Sequence, residues 1–184
     1  MHHDELWQEY DRAGRRLKTS WPSIKNNPKM NQNAAFVSTV CVWLYRHTED
    51  GIEILFQKRS PYIDSYANLY DRSAGGHVNF GEDDIDAVIR ETREEIGVDL
   101  LPDNVSFVSS HVSNYKNLIV KVYAYDCTGS EMEFSFDDKE VSEVKWVRLT
   151  DFDEFVEQNA KPPLKADTEV NMLFKKWLEF RGNY

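Results

Sequence analysis

Apolar residues recur at helical spacing between residues 84 and 96, where Ile85, Val88, Ile89, Thr92 and Ile96 fall on one face. Glu82, Asp83 and Asp84 stand at the start of this stretch, where free N–H groups and the helix dipole favour negative charge. Gly97 is placed to end it. The pattern therefore predicts a helix over 84–96. Apolar runs and alternation predict strands at 36–45, 52–57, 105–112, 118–125, 132–136 and 144–148. The turn-like Thr48-Glu49-Asp50-Gly51 separates the first two. Two more helices are expected at 150–158 and 168–181. Trp43 and Trp146 alternate with apolar neighbours and are expected in the core, as is Cys41. In the last helix Val170, Leu173, Phe174, Trp177 and Leu178 share a face, which can pack on the core or form a homodimer contact.

Ahead of these elements, residues 5–10 and 15–18 flank Asp11-Arg12-Ala13-Gly14 and read as a short hairpin. Residues 20–33 are rich in Asn and Pro and read as a linker. The chain divides into a hairpin and linker over 1–33 and a main domain with a C-terminal helix over 34–184. Helices interleaved with strands, some close enough for hairpins, predict an α/β sandwich around a mixed sheet.

Composition narrows the function. With 184 residues, 41% hydrophobic and 13% aromatic, the chain can build a globular core. Its formal net charge is -10 and no Lys/Arg-rich run stands out, which argues against a nucleic-acid polymer as partner. No apolar run reaches membrane-spanning length, and the acidic, amphipathic N-terminus lacks the apolar stretch of a signal peptide. Cys41 and Cys127 have neither C-x-x-C spacing nor the density of a disulfide framework, so a cytoplasmic setting is expected. An acidic protein that handles a polyanion needs a cation to mediate.

The helix at 84–96 supplies a place for one. Glu91 is three and four residues from Glu94 and Glu95, so all three carboxylates crowd one turn. Alone they repel, and some of their pKa values should rise. A divalent cation reverses that balance. Mg²⁺ takes oxygen ligands and commonly shares substrate phosphates. Arg90, four residues before Glu94, can orient it. Glu94-Glu95 alone would fit a solvated helix face. The joint spacing of Gly76, Glu82, Arg90, Glu91, Glu94, Glu95 and Gly97 favours the metal site instead.

Residues 76–98 resemble the Nudix box, G-x5-E-x7-R-E-U-x-E-E-x-G-U with U bulky and apolar. Every fixed position matches, and the single departure is Thr92 at the first U. Residues 54–60 resemble the strand leading into the family's box, and 138–147 its later segment before the final helix. The resemblance implies a Nudix-type α/β/α sandwich over about residues 34–160. It also implies Mg²⁺- or Mn²⁺-dependent hydrolysis of a small-molecule nucleoside or other diphosphate linked to a moiety X. Glu91, Glu94 and Glu95 would be the metal ligands and, with Arg90, the catalytic residues. Glu82 would be a supporting carboxylate. Gly75 and Gly76 would let the backbone approach metal and phosphates. A box glutamate, Glu140 or Glu143 would take the proton from water.

ELWQEYDRAGRRL and LYDRSAGGHVNFGED resemble the isopentenyl-diphosphate-isomerase-like branch. The isomerase's catalytic cysteine falls at Gly75 and its later glutamate approximately at Leu118. Gly and Leu cannot shuttle protons, so hydrolysis is expected rather than isomerisation. An isomerase and a non-catalytic nucleotide-sensing module remain the alternatives. Arg59 could reach a phosphate or lie on the surface near a strand end. Tyr62, Tyr66 and Tyr70, in the expected loop 60–74, could stack on X or simply pack. His77 could touch phosphate or hold the loop, and His47 and His111 suggest no role.

Overall fold

The third strand decides the architecture. In a computed structural model, which describes residues 6–11, 13–22, 36–113, 117–137 and 139–181, strand β3 (Phe36–Thr48) is buried on both faces. Strands place successive side chains on opposite faces. Cys41, Trp43 and Tyr45 enter one core, and Val40, Val42 and Leu44 enter the other. A strand apolar on both sides needs a layer of cover on each.

Helix α1 (Asp84–Ile96) supplies one layer. It buries Ala87, Val88 and Ile96 against Val40, Val42 and Leu44. Helices α2 (Phe152–Asn159), α3 (Pro162–Ala166) and α4 (Thr168–Arg181) supply the other through Phe152, Val156, Leu164, Val170, Phe174 and Leu178. Trp43 anchors this second core, with its ring stacked on Phe174 at 5.2 Å and edge-on to Phe56 and Phe152. The architecture is therefore the expected α/β/α arrangement.

The described residues form one nine-stranded mixed sheet. Strand β8 (Leu118–Asp126) runs parallel to Val37–Tyr45 of β3. Antiparallel to successive parts of β3 lie β1 (Leu6–Tyr10), β6 (Ala74–His77) and β4 (Gly51–Arg59). Strand β2 (Arg16–Pro22) pairs with β1, β5 (Tyr70–Asp71) and β9 (Val141–Arg148) pair with β4, and β7 (Val105–Ser113) pairs with β8. The N-terminal hairpin is thus part of the main sheet. No helix among the described residues is long and apolar enough to cross a membrane.

Several expectations need correction. Residues 132–136 belong to no strand and join no ladder. Met132, Phe134 and Phe136 pack on the α1 side of the core, so their alternation reflects one-sided burial without a neighbouring strand. Trp146 is only partly buried, with the Arg46 guanidinium 4.2 Å above its ring. Leu173 is 41% exposed, and Asn171 takes a buried place on α4. The face formed by Val170, Phe174 and Leu178 is used inside the chain, so a homodimer would need other residues. The loop expected at 60–74 carries β5 and β6, and residues 20–22 of the expected linker belong to β2. The rest of that linker, and most of the 1–33 segment outside the hairpin, lies outside the described residues.

The phase of α4 can be checked by denaturation in urea. Phe174→Ala should cost about 3–5 kcal/mol, as expected for a large buried ring. Leu173→Ala should change stability by less than about 0.5 kcal/mol, since exposed positions tolerate truncation. Equal losses would show that the helix faces the core in another phase.

Candidate active site

Two glycines in β6 allow close approach on either side, Gly75 to β3 and Gly76 to Glu91 of helix α1. Gly75 and Gly76 pair with Cys41 and Val40 of β3. A Cβ on Gly76 would overlap the Glu91 carboxylate, and one on Gly75 would stand 2.6 Å from the Val40 carbonyl oxygen. The backbone contact at Gly75 excludes a side chain, whereas at Gly76 the Glu91 carboxylate would have to give way. Gly97 ends the helix for another reason. Its φ of +73° suits glycine, and its N–H donates to the Arg93 carbonyl at 3.0 Å.

The carboxylates then divide into two sets. Glu95 is 6% exposed. Its Oε2 accepts from the Gly75 N–H at 2.8 Å and from Gln57 Nε2 at 3.0 Å. Among the described residues no basic side chain pairs with it. Burial, and then the neighbouring Glu91 charge, push its pKa well above the ordinary carboxylate value, against the pull of the Gly75 N–H.

Glu91, Glu94 and Glu82 converge on Arg90. The guanidinium donates to Glu91 Oε1 at 2.7 Å, to Glu94 Oε2 at 3.2 Å and to both Glu82 oxygens at 2.8 and 2.9 Å. It also donates to the His77 carbonyl at 2.9 Å. Burial pushes the Glu82 pKa up, but the Arg90 hydrogen bonds, the Asn79 backbone and the charges of Arg90 and Arg16 together hold it below its ordinary value. Arg90 is raised, because Glu82 and Glu91 outweigh its own burial. The expected Arg90–Glu94 pair is present, but the shorter bonds go to Glu91 and Glu82.

These groups border a cleft of ≈ 840 Å³. Gly75, Gly76, Glu91, Glu94 and Glu95 line it, as do Arg59, Tyr66, His77 and Glu140. Glu82 and Arg90 do not; they stand behind the lining carboxylates. The other two tyrosines fall elsewhere. Tyr62 is 90% exposed, and Tyr70 is buried against Phe155. Tyr70 donates its hydroxyl to Glu143, which also lies 3.5 Å from Lys58 Nζ and outside the cleft. Of the two candidate bases outside the box, Glu140 therefore lines the cleft and Glu143 does not. Arg59 uses its Nε–H on the Ser65 carbonyl at 3.1 Å, which aims the guanidinium from the cleft edge. His77 stacks on Trp7 of the N-terminal hairpin at 3.6 Å.

Four charged cleft residues carried no individual sequence expectation: Asp71, Arg72, Lys161 and Asp167. Asp71 and Arg72 are charged residues directly before the small run Ser73-Ala74-Gly75-Gly76, which is the signal that could have marked them. Nothing near Lys161 or Asp167 in sequence points to the site. His111, which suggested no role, also lines the cleft.

The donor set suits a hard divalent cation: three carboxylates on one turn, all opening into one cleft, with Glu95 lacking a cationic partner. Among the described residues no group of three or more His, Cys, Asp or Glu side chains is placed to hold a metal ion, so Glu91, Glu94 and Glu95 would have to move closer together around one. Arg90 engages Glu91 and Glu94. A bound cation would share those two carboxylates with the guanidinium and neutralise Glu95.

Stability against pH tests the Glu95 environment. Its folded pKa lies above the unfolded one, so between the two values the folded chain holds more protons and stability falls as pH rises. In chelator, Glu95→Gln should therefore exceed wild type in stability at pH 7. The gap should close toward pH 4, at about 1.4 kcal/mol per unit of raised pKa. Added Mg²⁺ should stabilise wild type selectively. Thermal unfolding at several pH values reads all three effects, and a variant less stable at pH 7 without metal would contradict the assignment.

A family model described as the NUDIX domain matches residues 35–167. An uncharacterized Nudix hydrolase of Clostridium acetobutylicum is 29% identical over 97 residues, 51% of this chain and 47% of its own length. The chain thus spans about half the length of that curated relative. Among solved structures, DR0079 of Deinococcus radiodurans superposes with a TM-score of 0.69 at 21% identity, over 92% of this chain and 99% of that one. The NUDIX domain of Shewanella oneidensis NrtR, solved in complex with ADP ribose, gives 0.61 at 17% identity, over 84% and 94%. At these identities the two structures show a shared fold.

Proposed function

The chain belongs to the Nudix family, and from that premise we propose that it is a divalent-metal-dependent pyrophosphohydrolase cleaving a diphosphate linked to a moiety X. The observation that carries this reading is Glu95: a buried carboxylate without a basic partner among the described residues, beside Glu91, at the wall of a cleft of ≈ 840 Å³, large enough for a small molecule. Glu91, Glu94 and Glu95 would hold Mg²⁺ or Mn²⁺. When bound, the cation would polarise a phosphoryl oxygen and make a coordinated water more acidic.

The chain's own residues supply the remaining work. Arg90 fixes the rotamers of Glu91 and Glu94, with Glu82 locking the guanidinium from behind. Gly75 and Gly76 keep the cleft wall free of side chains, so phosphate oxygens can come close. Arg59 offers a forked donor from the cleft edge. Glu140 lines the cleft whereas Glu143 does not, so Glu140 is our candidate to take the proton from the attacking water. Residues 1–33 act as an extension to the domain at 34–184, in a cytoplasmic protein.

Isomerisation is disfavoured on chemical grounds. Gly75 has no thiol and no space for one, and Leu118 presents an apolar side chain to the cleft. The likeness of residues 5–17 and 69–83 to the isomerase-like branch is then a proposal about sequence ancestry. A nucleotide-sensing role is disfavoured because all the box carboxylates are present.

Turnover with Mg²⁺ should be measured on nucleoside triphosphates, dinucleotides, nucleotide sugars and isoprenoid diphosphates. One class should be cleaved, and chelator should abolish the activity. Arg90→Gln should cost about 10- to 100-fold, as for residues that orient metal ligands. Glu94→Gln and Glu95→Gln should cost more. Turnover that survives both glutamate substitutions, or rearranged rather than hydrolysed product, would defeat this reading.

A further inference from the structure

The loop that joins β6 to α1, residues 78–83, is gripped along its length by the N-terminal hairpin. The Gln8 N–H donates to the Val78 carbonyl at 2.9 Å, and the Phe80 N–H donates to the Leu6 carbonyl at 2.6 Å. Gln8 is buried, and its side chain bridges two segments. Its Oε1 accepts from the Gly81 N–H at 3.3 Å, while its Nε2 donates to the Leu17 carbonyl of β2 at 2.8 Å. The ladder between β1 and β3 covers Glu9 and Tyr10 among the described residues. The hairpin therefore holds the loop over a longer stretch than it holds β3.

Two further contacts end on one guanidinium. Trp7 lies flat on the His77 ring, 3.6 Å away and 5° from parallel, and the His77 carbonyl accepts from Arg90 Nη2 at 2.9 Å. Arg16 Nη2 donates to the Glu82 carbonyl at 2.6 Å and stands 3.2 Å from Asp83 Oδ1. The Glu82 carboxylate in turn takes Arg90 Nε and Nη2 at 2.8 and 2.9 Å. One edge of the guanidinium is thus set by groups that the hairpin holds. Its remaining nitrogen, Nη1, serves Glu91 and Glu94.

We propose that Trp7 and Arg16 are positioning residues for the metal site, acting through Arg90. This rests on the pyrophosphohydrolase reading. A guanidinium is a rigid planar fork, so fixing the Nε–Nη2 edge fixes where Nη1 points. Nη1 and a cation draw on the same two carboxylates. A guanidinium released from Glu82 and His77 can close on Glu91 and Glu94 and compete with the metal. The start of α1 has its own anchor, because Lys121 of β8 donates to both Asp84 oxygens at 2.8 and 2.7 Å. Loss of the Arg16 contact therefore frees the loop without freeing the helix, and it is felt first at Arg90.

Mn²⁺ binding reads this without turnover. Free Mn²⁺ would be titrated by electron paramagnetic resonance at a temperature where each variant is folded by circular dichroism. Arg16→Gln and Trp7→Leu should each weaken Mn²⁺ binding about 10-fold, the low end for residues that support metal ligands. Trp7→Phe keeps a flat ring for His77 and should restore most of the affinity. In an Arg90→Gln background neither substitution should weaken binding further, because both act through that guanidinium. Arg15→Gln breaks an ion pair with Asp11 inside the hairpin and should leave Kd unchanged, so a general loosening of the hairpin would be recognised. Arg16 is exposed, and its variant keeps the test decisive if Trp7→Leu fails to fold. Wild-type affinity in Arg16→Gln and Trp7→Leu, or a loss that persists in full without Arg90, would overturn the inference while Mn²⁺ binding still depends on Glu95. Wild-type protein that binds no Mn²⁺, or binds it equally well after Glu95→Gln, would sink the hydrolase reading and this inference together.

Discussion

The closeness of α1 to β6 is the constraint from which the site follows. The Glu91 carboxylate of α1 lies where a Cβ on Gly76 would stand, while Gly75 is closed off by the backbone of β3 at the Val40 carbonyl. The same approach lets the Gly75 N–H reach Glu95. The pairing of β6 with β3 fixes where those glycines stand, and the apolar face of α1 fixes how the helix lies over them. Packing of Ala87, Val88 and Ile96 therefore does more than stabilise the domain. It sets the height of the glutamates above the sheet, and a shift in that packing would move the carboxylates and the glycine backbone apart.

Electrostatics adds a second layer to this geometry. Among the described residues Arg90 stands between Glu82, Glu91 and Glu94 as a shared counter-charge. Its bond to the His77 carbonyl ties the helix to the end of β6. The N-terminal hairpin reinforces the same segment from outside. Trp7 stacks on His77, the Gln8 N–H donates to the Val78 carbonyl at 2.9 Å, and Arg16 Nη2 donates to the Glu82 carbonyl at 2.6 Å. The hairpin thus steadies the loop that delivers Glu82 to Arg90. Glu95 is left outside this network of charge pairs, held by neutral donors. That division gives the cleft a wall where positive charge is needed and not yet supplied.

Local signals in the sequence were strong where the structure is local. The helical period, the acidic start and Gly97 located α1 to the residue, because all three arise from one segment. Even Thr92 fits: it is fully buried, and its hydroxyl donates to the Val88 carbonyl at 2.6 Å, so the polar atom at an apolar position is satisfied within its own helix. Signals failed where placement depends on distant partners. Alternation at 132–136 looks the same whether a strand or a core lies beside it. Glu140 and Glu143 are three residues apart in sequence, yet only Glu140 faces the cleft, because Tyr70 and Lys58 claim Glu143. Asp71, Arg72, Lys161 and Asp167 come from two segments some ninety residues apart that only the sheet brings together.

The two walls of the cleft solve opposite problems with the same side chains. On the α1 wall, acids outnumber bases and one carboxylate is buried without a charge partner, so the fold carries an electrostatic cost that a divalent cation relieves. On the α3 wall, acids and bases are matched in pairs, and what remains unsatisfied is hydrogen bonding. A wall that lacks positive charge suits a metal with its phosphates. The net acidity of the chain would disfavour an anionic ligand arriving without a cation, which on the proposed function would couple entry of a diphosphate to the metal.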